Sequence, residues 1–229
     1  MNKPRKKKTD SHKNRIFLVE DHPVFREGLS QVLAAEKDLT LCGAAANAND
    51  ALKAVIKLKP DLVVVDLGLP GKSGLELIKE IRTLNLPVKL LVVSMFDEAI
   101  YAQRVLRAGG DGYVMKQEDP EVIVLAISDV LAGHIYVSED VFRTNSSKEP
   151  SKKKAASLDL LTDSEVEVLG LLGEGKSKTV ISQQIGMSAA QVDTHCGNIT
   201  RKLELRGFSA LVQYASDWVA DSCKLLPNI

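Results

Sequence analysis

The chain has few cysteines and no long apolar run among its 229 residues. No stretch approaches the roughly 18 apolar residues of a membrane-spanning helix, so we expect no membrane partner. No apolar segment follows the basic N-terminus, which argues against a secretory signal. Cys42, Cys196 and Cys223 are odd in number, far apart and without metal-ligand spacing. They indicate free thiols and a reducing, cytoplasmic location.

The chain also lacks net charge, because 30 basic residues balance 30 acidic residues. Its 45% hydrophobic and 26% charged content excludes a wholly disordered or collagen-like chain. The charge is unevenly distributed: residues 1–15 carry seven basic residues and one acidic, and residues 143–157 carry five and one. We predict a disordered tail over 1–15 and a linker over 143–157, which separate domains at 16–142 and 158–229. These basic segments either attract nucleic acid or only keep the chain soluble.

The first domain alternates short apolar runs with segments of helical periodicity. The apolar runs cover residues 16–19, 62–65, 90–93 and 113–115, with a weaker candidate at 39–46. The helical segments cover residues 24–35, 51–58, 75–84, 101–108 and 122–131. Continuous β-branched runs are typical of strands buried on both faces of a parallel sheet. We therefore predict an α/β doubly wound, five-stranded parallel sheet, which binds ligands at the carboxyl ends of its strands.

Polar residues of matching chemistry follow four of the predicted strands. Glu20 and Asp21 follow the first strand, and Asp66, Ser94 and Lys116 follow three others. Because the carboxyl ends of parallel strands meet at one edge, we expect these side chains to share a cleft. Three neighbouring carboxylates repel one another unless a cation is present. Oxygen ligands suit a hard ion, so the sequence predicts a Mg²⁺ site.

The segments around these residues resemble the flavodoxin-like receiver domain of bacterial two-component response regulators. The matching segments are Val19-Glu20-Asp21-His22, Val65-Asp66-Leu67-Gly68-Leu69-Pro70-Gly71-Lys72-Ser73-Gly74, Val93-Ser94 and Gly112-Tyr113-Val114-Met115-Lys116. The resemblance covers residues 16–142 and implies that a sensor histidine kinase phosphorylates Asp66. A carboxylate can attack phosphorus in this way and form an acyl phosphate.

The same resemblance implies roles for the neighbouring residues. The implied Mg²⁺ ligands are Glu20, Asp21, Asp66 and the backbone carbonyl of Gly68. Ser94 and Lys116 would contact the phosphoryl oxygens, where an ammonium group neutralises charge during the transfer. Tyr113 would change its rotamer on activation, together with the loop that carries Ser94.

The second domain is predicted to contain four helices. The spacing of a capping box occurs at Thr162 with Glu165, and again at Ser188 with Gln191, where a long helix begins. A shorter helix over 178–185 precedes the long one, and a tight turn joins the two. This pair resembles a helix-turn-helix motif, whose second helix enters the major groove of DNA.

The second domain also resembles the LuxR-type domain of NarL/FixJ-type regulators. The matching segments are Leu161-Thr162, Glu165-Val166-Glu167-Val168-Leu169, Gly175-Lys176-Ser177, Val192-Asp193-Thr194-His195 and Asn198-Ile199-Thr200-Arg201-Lys202-Leu203. The resemblance implies that the base-reading positions are Asp193, Thr194 and Gly197. It implies that the phosphate-contacting positions are Lys176, Ser177, Lys178, Thr179, Arg201 and Lys202.

We therefore expect a cytoplasmic transcriptional regulator that catalyses only its own phosphotransfer and autodephosphorylation. Its expected partners are a sensor histidine kinase, double-stranded DNA and, after activation, a second copy of itself. One alternative is a Mg²⁺ phosphatase of the haloacid type, although Gly68 stands where such enzymes have a second aspartate. Another is a scaffold or protein-interaction module whose second domain does not bind DNA. Trp218 in the last helix either forms a dimer surface or closes its own domain's core.

Overall fold

Five apolar segments form one parallel sheet, as the sequence predicts. The structure is a computed structural model that describes residues 13–138 and 160–223. The strands are β1 Asn14–Val19, β2 Leu39–Ala45, β3 Leu62–Val65, β4 Lys89–Ser94 and β5 Gly112–Met115. The strand order is β2-β1-β3-β4-β5, and every pairing is parallel. The order reverses beside β1, so the carboxyl ends of β1 and β3 border the crevice where such sheets bind ligands.

Five helices cover the two faces of this sheet. They are α1 Pro23–Ala35, α2 Ala48–Leu58, α3 Gly74–Thr83, α4 Glu98–Arg107 and α5 Pro120–Leu131. One apolar core contains Phe17 and Val63, and a second core on the opposite face contains Leu18 and Val64. Successive strand residues therefore point into different cores, which explains why the runs are continuously apolar. Residues 13–138 are called the sheet domain below.

Capping residues define where two of these helices begin. Asn47 accepts a hydrogen bond from the backbone of Asp50, so α2 begins before the apolar periodicity that predicted it at residue 51. Ser73 and Glu76 form a reciprocal capping box at the start of α3. Such boxes satisfy backbone donors that the first helical turn leaves without partners. Because α3 starts directly after the loop that follows β3, this cap also fixes the exit of that loop.

Four further helices form the helical domain, residues 160–223. They are α6 Asp163–Gly173, α7 Lys178–Gln184, α8 Ala189–Lys202 and α9 Phe208–Cys223. The predicted capping boxes at Thr162 and Ser188 are both present. Trp218 is buried in the core of this domain, which agrees with the core alternative rather than with a free dimer surface. The thiol of Cys196 is also buried, and burial raises its pKa.

The helical domain lies against the sheet domain through α6 and the turn after α7. Asp163 at the start of α6 accepts hydrogen bonds from Lys79 of α3 and, at 3.2 Å, from Arg104 of α4. A Cβ atom on Gly186 would lie 2.6 Å from the backbone nitrogen of Gly71, so the two backbones are in close contact. The apolar core is continuous across this contact. The sheet domain therefore docks on α6 and on the turn of the helix-turn-helix.

Two predictions concern residues outside the described part of the chain. The basic linker over 143–157 lies entirely outside it, and so does most of the basic tail over 1–15. Within residues 13–138 and 160–223, no helix has the length and apolar character required to span a bilayer.

Candidate functional site

Three acidic side chains meet at the carboxyl edge of the sheet, as the strand ends predict. Glu20 and Asp21 follow β1, and Asp66 follows β3, which pairs with β1. One oxygen of each, together with a ring nitrogen of His22, forms a group whose atoms all lie within 4.8 Å of one another. Glu20 and Asp66 are buried, whereas Asp21 is partly exposed. The cleft is thus strongly acidic and opens to solvent beside Asp21.

Lys116 supplies positive charge to this cleft. Its Nζ atom lies 2.8 Å from Oδ2 of Asp66 and 2.6 Å from Oε2 of Glu20. Burial would lower the pKa of Lys116, but the two carboxylates raise it above its usual value. Burial, followed by repulsion from Asp66, raises the pKa of Glu20, although Lys116 opposes both effects. One ammonium group therefore only partly compensates three carboxylates.

The residues around the remaining negative charge fit a divalent cation. Oδ1 of Asp21 is buried and accepts no hydrogen bond within the described residues. Nδ1 of His22 lies 2.9 Å away but lacks hydrogen-bond geometry, so it compensates this oxygen only when the imidazole is protonated. Gly68 is adjacent, since a Cβ on it would lie 3.7 Å from Oδ2 of Asp66. The carboxylate oxygens of Glu20, Asp21 and Asp66 are a suitable ligand set for Mg²⁺, and Oδ1 of Asp21 has no hydrogen bond to lose on binding it.

Ser94 and Tyr113 connect the cleft to the neighbouring loop. Ser94 ends β4 with 1% of its surface exposed, and its hydroxyl accepts a hydrogen bond from the backbone of Phe96 at 3.5 Å. The buried hydroxyl of Tyr113 donates to the carbonyl oxygen of Phe96 at 2.7 Å. The ring of Phe96 stacks on Tyr101 of α4, with 5.0 Å between the centroids. A change at Ser94 can therefore reach α4 through Phe96.

Sequence reasoning missed Phe25 as a member of the site. Nζ of Lys116 lies 4.7 Å from the centroid of the Phe25 ring, which is on α1. A cation above an aromatic face is attracted to it, so Phe25 helps to position the ammonium group. The available signal was an aromatic residue in the first turn of α1, four residues after Asp21. That signal is weak, because an aromatic residue in a helix usually packs in the core.

The outward surface of α8 carries the predicted base-reading positions. Asp193, Thr194 and Gly197 are all exposed while the sheet domain is docked. Within the described residues, no atom outside the adjacent helix backbone lies within 4 Å of the place where a Cβ on Gly197 would be. In the described part of the chain, docking therefore leaves this surface of the long helix uncovered, which the sequence did not predict.

Two of the predicted phosphate-contacting lysines bind acidic residues of the helical domain itself. Nζ of Lys178 lies 2.5 Å from Oδ1 of Asp193 and 4.1 Å from the centroid of the Phe208 ring. Nζ of Lys202 lies 2.6 Å from Oε2 of Glu165, a buried residue of the first capping box. The other predicted phosphate contacts are all exposed, and they are Lys176, Ser177, Thr179 and Arg201. The DNA contacts stay predictions.

Comparisons with known proteins match both halves of the chain. The model of the response regulator receiver domain matches residues 16–128, and the model of the luxR family of bacterial regulatory proteins matches residues 159–215. The oxygen regulatory protein NreC of Staphylococcus aureus is 32% identical over 209 residues, which cover 88% of this chain and 96% of NreC. The chain belongs to the LuxR-type response regulators. This regulator is thus a DNA-binding transcriptional response regulator, in which the sheet domain is the receiver.

Solved structures agree with this family assignment. A LuxR-family two-component response regulator from an Aurantimonas species is 35% identical to this regulator, with a TM-score of 0.55. The match covers 57% of this chain and 94% of the Aurantimonas chain. The response regulator RcsB of Salmonella typhimurium is 23% identical over 90% of this chain and 98% of its own, with a TM-score of 0.64. At that identity the likeness to RcsB concerns the fold alone.

Proposed function

We propose that phosphorylation of Asp66 controls DNA binding by this regulator. The observation that carries the proposal is the placement of Asp66, a buried carboxylate held by Lys116 at 2.8 Å beside Glu20 and Asp21. An oxygen of Asp66 forms a bond to phosphorus while the bond from phosphorus to a nitrogen of the kinase's histidine breaks. The same cleft catalyses the later hydrolysis of the acyl phosphate, and the chain has no other enzymatic role.

The residues of the cleft have separate roles in this transfer. Glu20, Asp21, Asp66 and the carbonyl of Gly68 would hold Mg²⁺, which neutralises charge on the transferred group. Lys116 remains beside Asp66 and pairs with a phosphoryl oxygen. The buried hydroxyl of Ser94 donates to another phosphoryl oxygen. The product adds about 1.5–2 negative charges at pH 7 to a site that already holds three carboxylates.

The new charge is transmitted by two routes. Movement of Ser94 towards the phosphoryl group shifts the loop that contains Phe96, and a change of rotamer at Tyr113 follows that shift. The loop after β3 is the second route, since Gly71 in that loop contacts Gly186 of the helical domain. Both routes end at the surface where α6 and the turn after α7 are docked.

These shifts loosen the docking and free the helical domain to dimerise on double-stranded DNA, which it contacts through α8. Bases are contacted from Asp193, Thr194 and Gly197, and phosphates from Lys176 and its basic and hydroxyl neighbours. We infer a cytoplasmic homodimer on DNA, with a sensor histidine kinase as phosphoryl donor and without a membrane partner. We also infer domain boundaries at 16–142 and 158–229, joined by the basic linker.

Phosphoryl transfer from a small donor tests this proposal. The full chain is incubated with acetyl phosphate and Mg²⁺, and its intact mass is measured. One phosphoryl group is expected on the unaltered protein and none on Asp66→Asn. Asp38→Asn is the matched control, because Asp38 is exposed just before β2, at the opposite edge of the sheet. Labelling that persists in Asp66→Asn would refute the assignment, and sustained turnover of a phosphate ester, supplied in place of acetyl phosphate, would instead favour a phosphatase.

DNA affinity is measured with the same variants. Acetyl phosphate is expected to increase the affinity of the unaltered protein and of Asp38→Asn, and to leave that of Asp66→Asn unchanged. Equal affinity in all samples, or none in any, would identify a scaffold that does not respond to phosphorylation.

A further inference from the structure

Glu167 is a buried acidic residue at the contact between the two domains. It lies in the middle of α6 with 5% of its surface exposed, between the fully buried Val166 and Val168. Its side chain lines a small cavity whose other walls come mostly from the sheet domain, including Leu67, Leu75, Phe96 and Tyr101. The function proposed above does not use this residue. Its burial depends on docking, because receiver residues form the opposite walls.

Two of the polar side chains that line this cavity lack hydrogen-bond partners within the described residues. Oε1 of Glu167 and the hydroxyl of Tyr101 are both buried and unpaired within the described residues. Asp163, one turn earlier on α6, differs because Lys79 and Arg104 both bind it. The contact thus contains one acidic residue with cationic partners and one without. A buried carboxylate without a partner is costly unless it takes up a proton.

The charged groups that face Glu167 make ionisation harder. Burial, together with smaller repulsions from Asp66 at the end of β3, from Glu76 of α3 and from Asp163, raises the pKa of Glu167 to about 8. Burial also raises the pKa of Tyr101 of α4 well above its usual value, so this neighbour is uncharged as well. Among the cations of α3 and α4, Lys79 and Arg104 are bound to Asp163, and Arg82 is bound to Asp111. In the docked protein, Glu167 is therefore mostly a neutral carboxylic acid at pH 7.

We propose that Glu167 is a proton-dependent latch, neutral while α6 lies against the sheet domain and ionised once the helical domain separates. Separation exposes the carboxyl group to water, its O–H bond breaks, and the proton passes to solvent. The latch acts on the unphosphorylated protein and goes beyond the proposed function. Its test can therefore fail without any consequence for Asp66.

The direction of the pH effect follows from linkage. The pKa of Glu167 is about 8 when docked and returns towards its ordinary value of 4.5 when exposed. A group whose pKa is raised in one state favours that state at low pH and weakens it as pH rises. The docking equilibrium constant is expected to fall about tenfold per pH unit between about pH 5 and pH 8, and then to level off. A mildly acidic cytoplasm would keep the regulator docked.

Two measurements on the unphosphorylated full chain test the latch. The first is carbon-13 NMR of protein labelled at the glutamate carboxyl groups, titrated from pH 4 to pH 9. The resonance missing from Glu167→Gln is expected to titrate near pH 8. The second is the radius of gyration from small-angle X-ray scattering, which is expected to increase with pH in the unaltered protein and to stay constant in Glu167→Gln. Glutamine preserves the shape of the side chain and cannot ionise.

Glu174→Gln is the matched control, because Glu174 is exposed at the end of the same helix. It is expected to keep the pH response of the unaltered protein. The proposal is overturned if the Glu167 resonance titrates below pH 6, or if the radius of gyration of the unaltered protein does not change with pH. It is also overturned if Glu167→Gln follows the same pH course as the unaltered protein, since another group would then be responsible.

Discussion

The acidic cleft of the sheet domain and the predicted DNA-binding surface of the helical domain use charge in opposite ways. In the cleft, the side chain of Lys116 is buried and contacts both Glu20 and Asp66. The ionisation of each of these groups therefore depends on the charge of the others. On the helical surface, Lys176 is exposed, and Lys178 is held at the surface by Asp193. Buried charges interact strongly and fix geometry, whereas exposed charges are screened and tolerate change. The two surfaces should therefore respond differently when one charge is removed.

The largest effect is expected from Lys116→Met. The substitution leaves two buried carboxylates without their cation, which should lower the free energy of unfolding by about 3 kcal/mol at pH 7.5 without divalent ions. The loss should shrink as pH falls, because Glu20 already has a raised pKa and takes up a proton first. Urea denaturation at pH 7.5 and pH 5 measures the loss of unfolding free energy and its dependence on pH. Lys53→Met, at an exposed position of α2, should change neither, and an equal loss in both variants would show that the cleft has no special role.

The second effect concerns Mg²⁺ and Asp21. An ion that binds only the folded protein should stabilise it by about 2.7 kcal/mol at 100 times its Kd. This gain in stability should be lost in Asp21→Asn, because Oδ1 of Asp21 has no hydrogen-bond partner within the described residues and is available to a metal ion. Thermal unfolding with and without Mg²⁺ measures the gain, and Asp38→Asn serves as control. A full gain in Asp21→Asn would exclude this carboxylate from the metal ligands.

The smallest effect is expected from Lys176→Ala on the helical surface, and Lys202→Ala provides the contrast. Each lost phosphate contact should reduce the slope of log affinity against log salt by about 0.9, measured on duplex DNA with acetyl phosphate present. Lys202→Ala should also destabilise the protein by about 1–3 kcal/mol, because buried Glu165 loses its partner. Lys57→Ala, exposed on the sheet domain, should change neither. An unchanged slope in Lys202→Ala would restrict this lysine to a structural role.

The acidic cleft was predictable because backbone geometry brings its residues together. Parallel strands of similar length end at one edge, so residues that follow apolar runs are neighbours whatever the side-chain details. Glu20, Asp66 and Lys116 follow such runs, so their proximity was predictable. Phe25 was not, because its position over the ammonium group depends on the rotation of α1 about its axis.

The contact between the domains was least predictable. Glu167 sits in the apolar sequence Val166-Glu167-Val168-Leu169, and an acidic residue there is the only sign that this face of α6 is special. Whether such a residue is exposed or buried depends on which surface packs against it, and the pattern of a single helix does not contain that information. The same limit applies to Asp163, whose partners are 84 and 59 residues away.

The close approach of Gly186 to Gly71 has a mechanical consequence. At this point the loop that follows Asp66 and the turn that leads into α8 meet backbone to backbone, since the atoms nearest to a Cβ on Gly186 are backbone atoms of Pro70 and Gly71. Rotatable side chains in an interface can absorb small displacements by changing rotamer, and peptide groups in direct contact cannot. Gly186 also has a φ of 64°, a conformation that other residues rarely adopt. A shift of the loop by a fraction of an ångström would thus displace the turn of the helix-turn-helix by nearly the same distance.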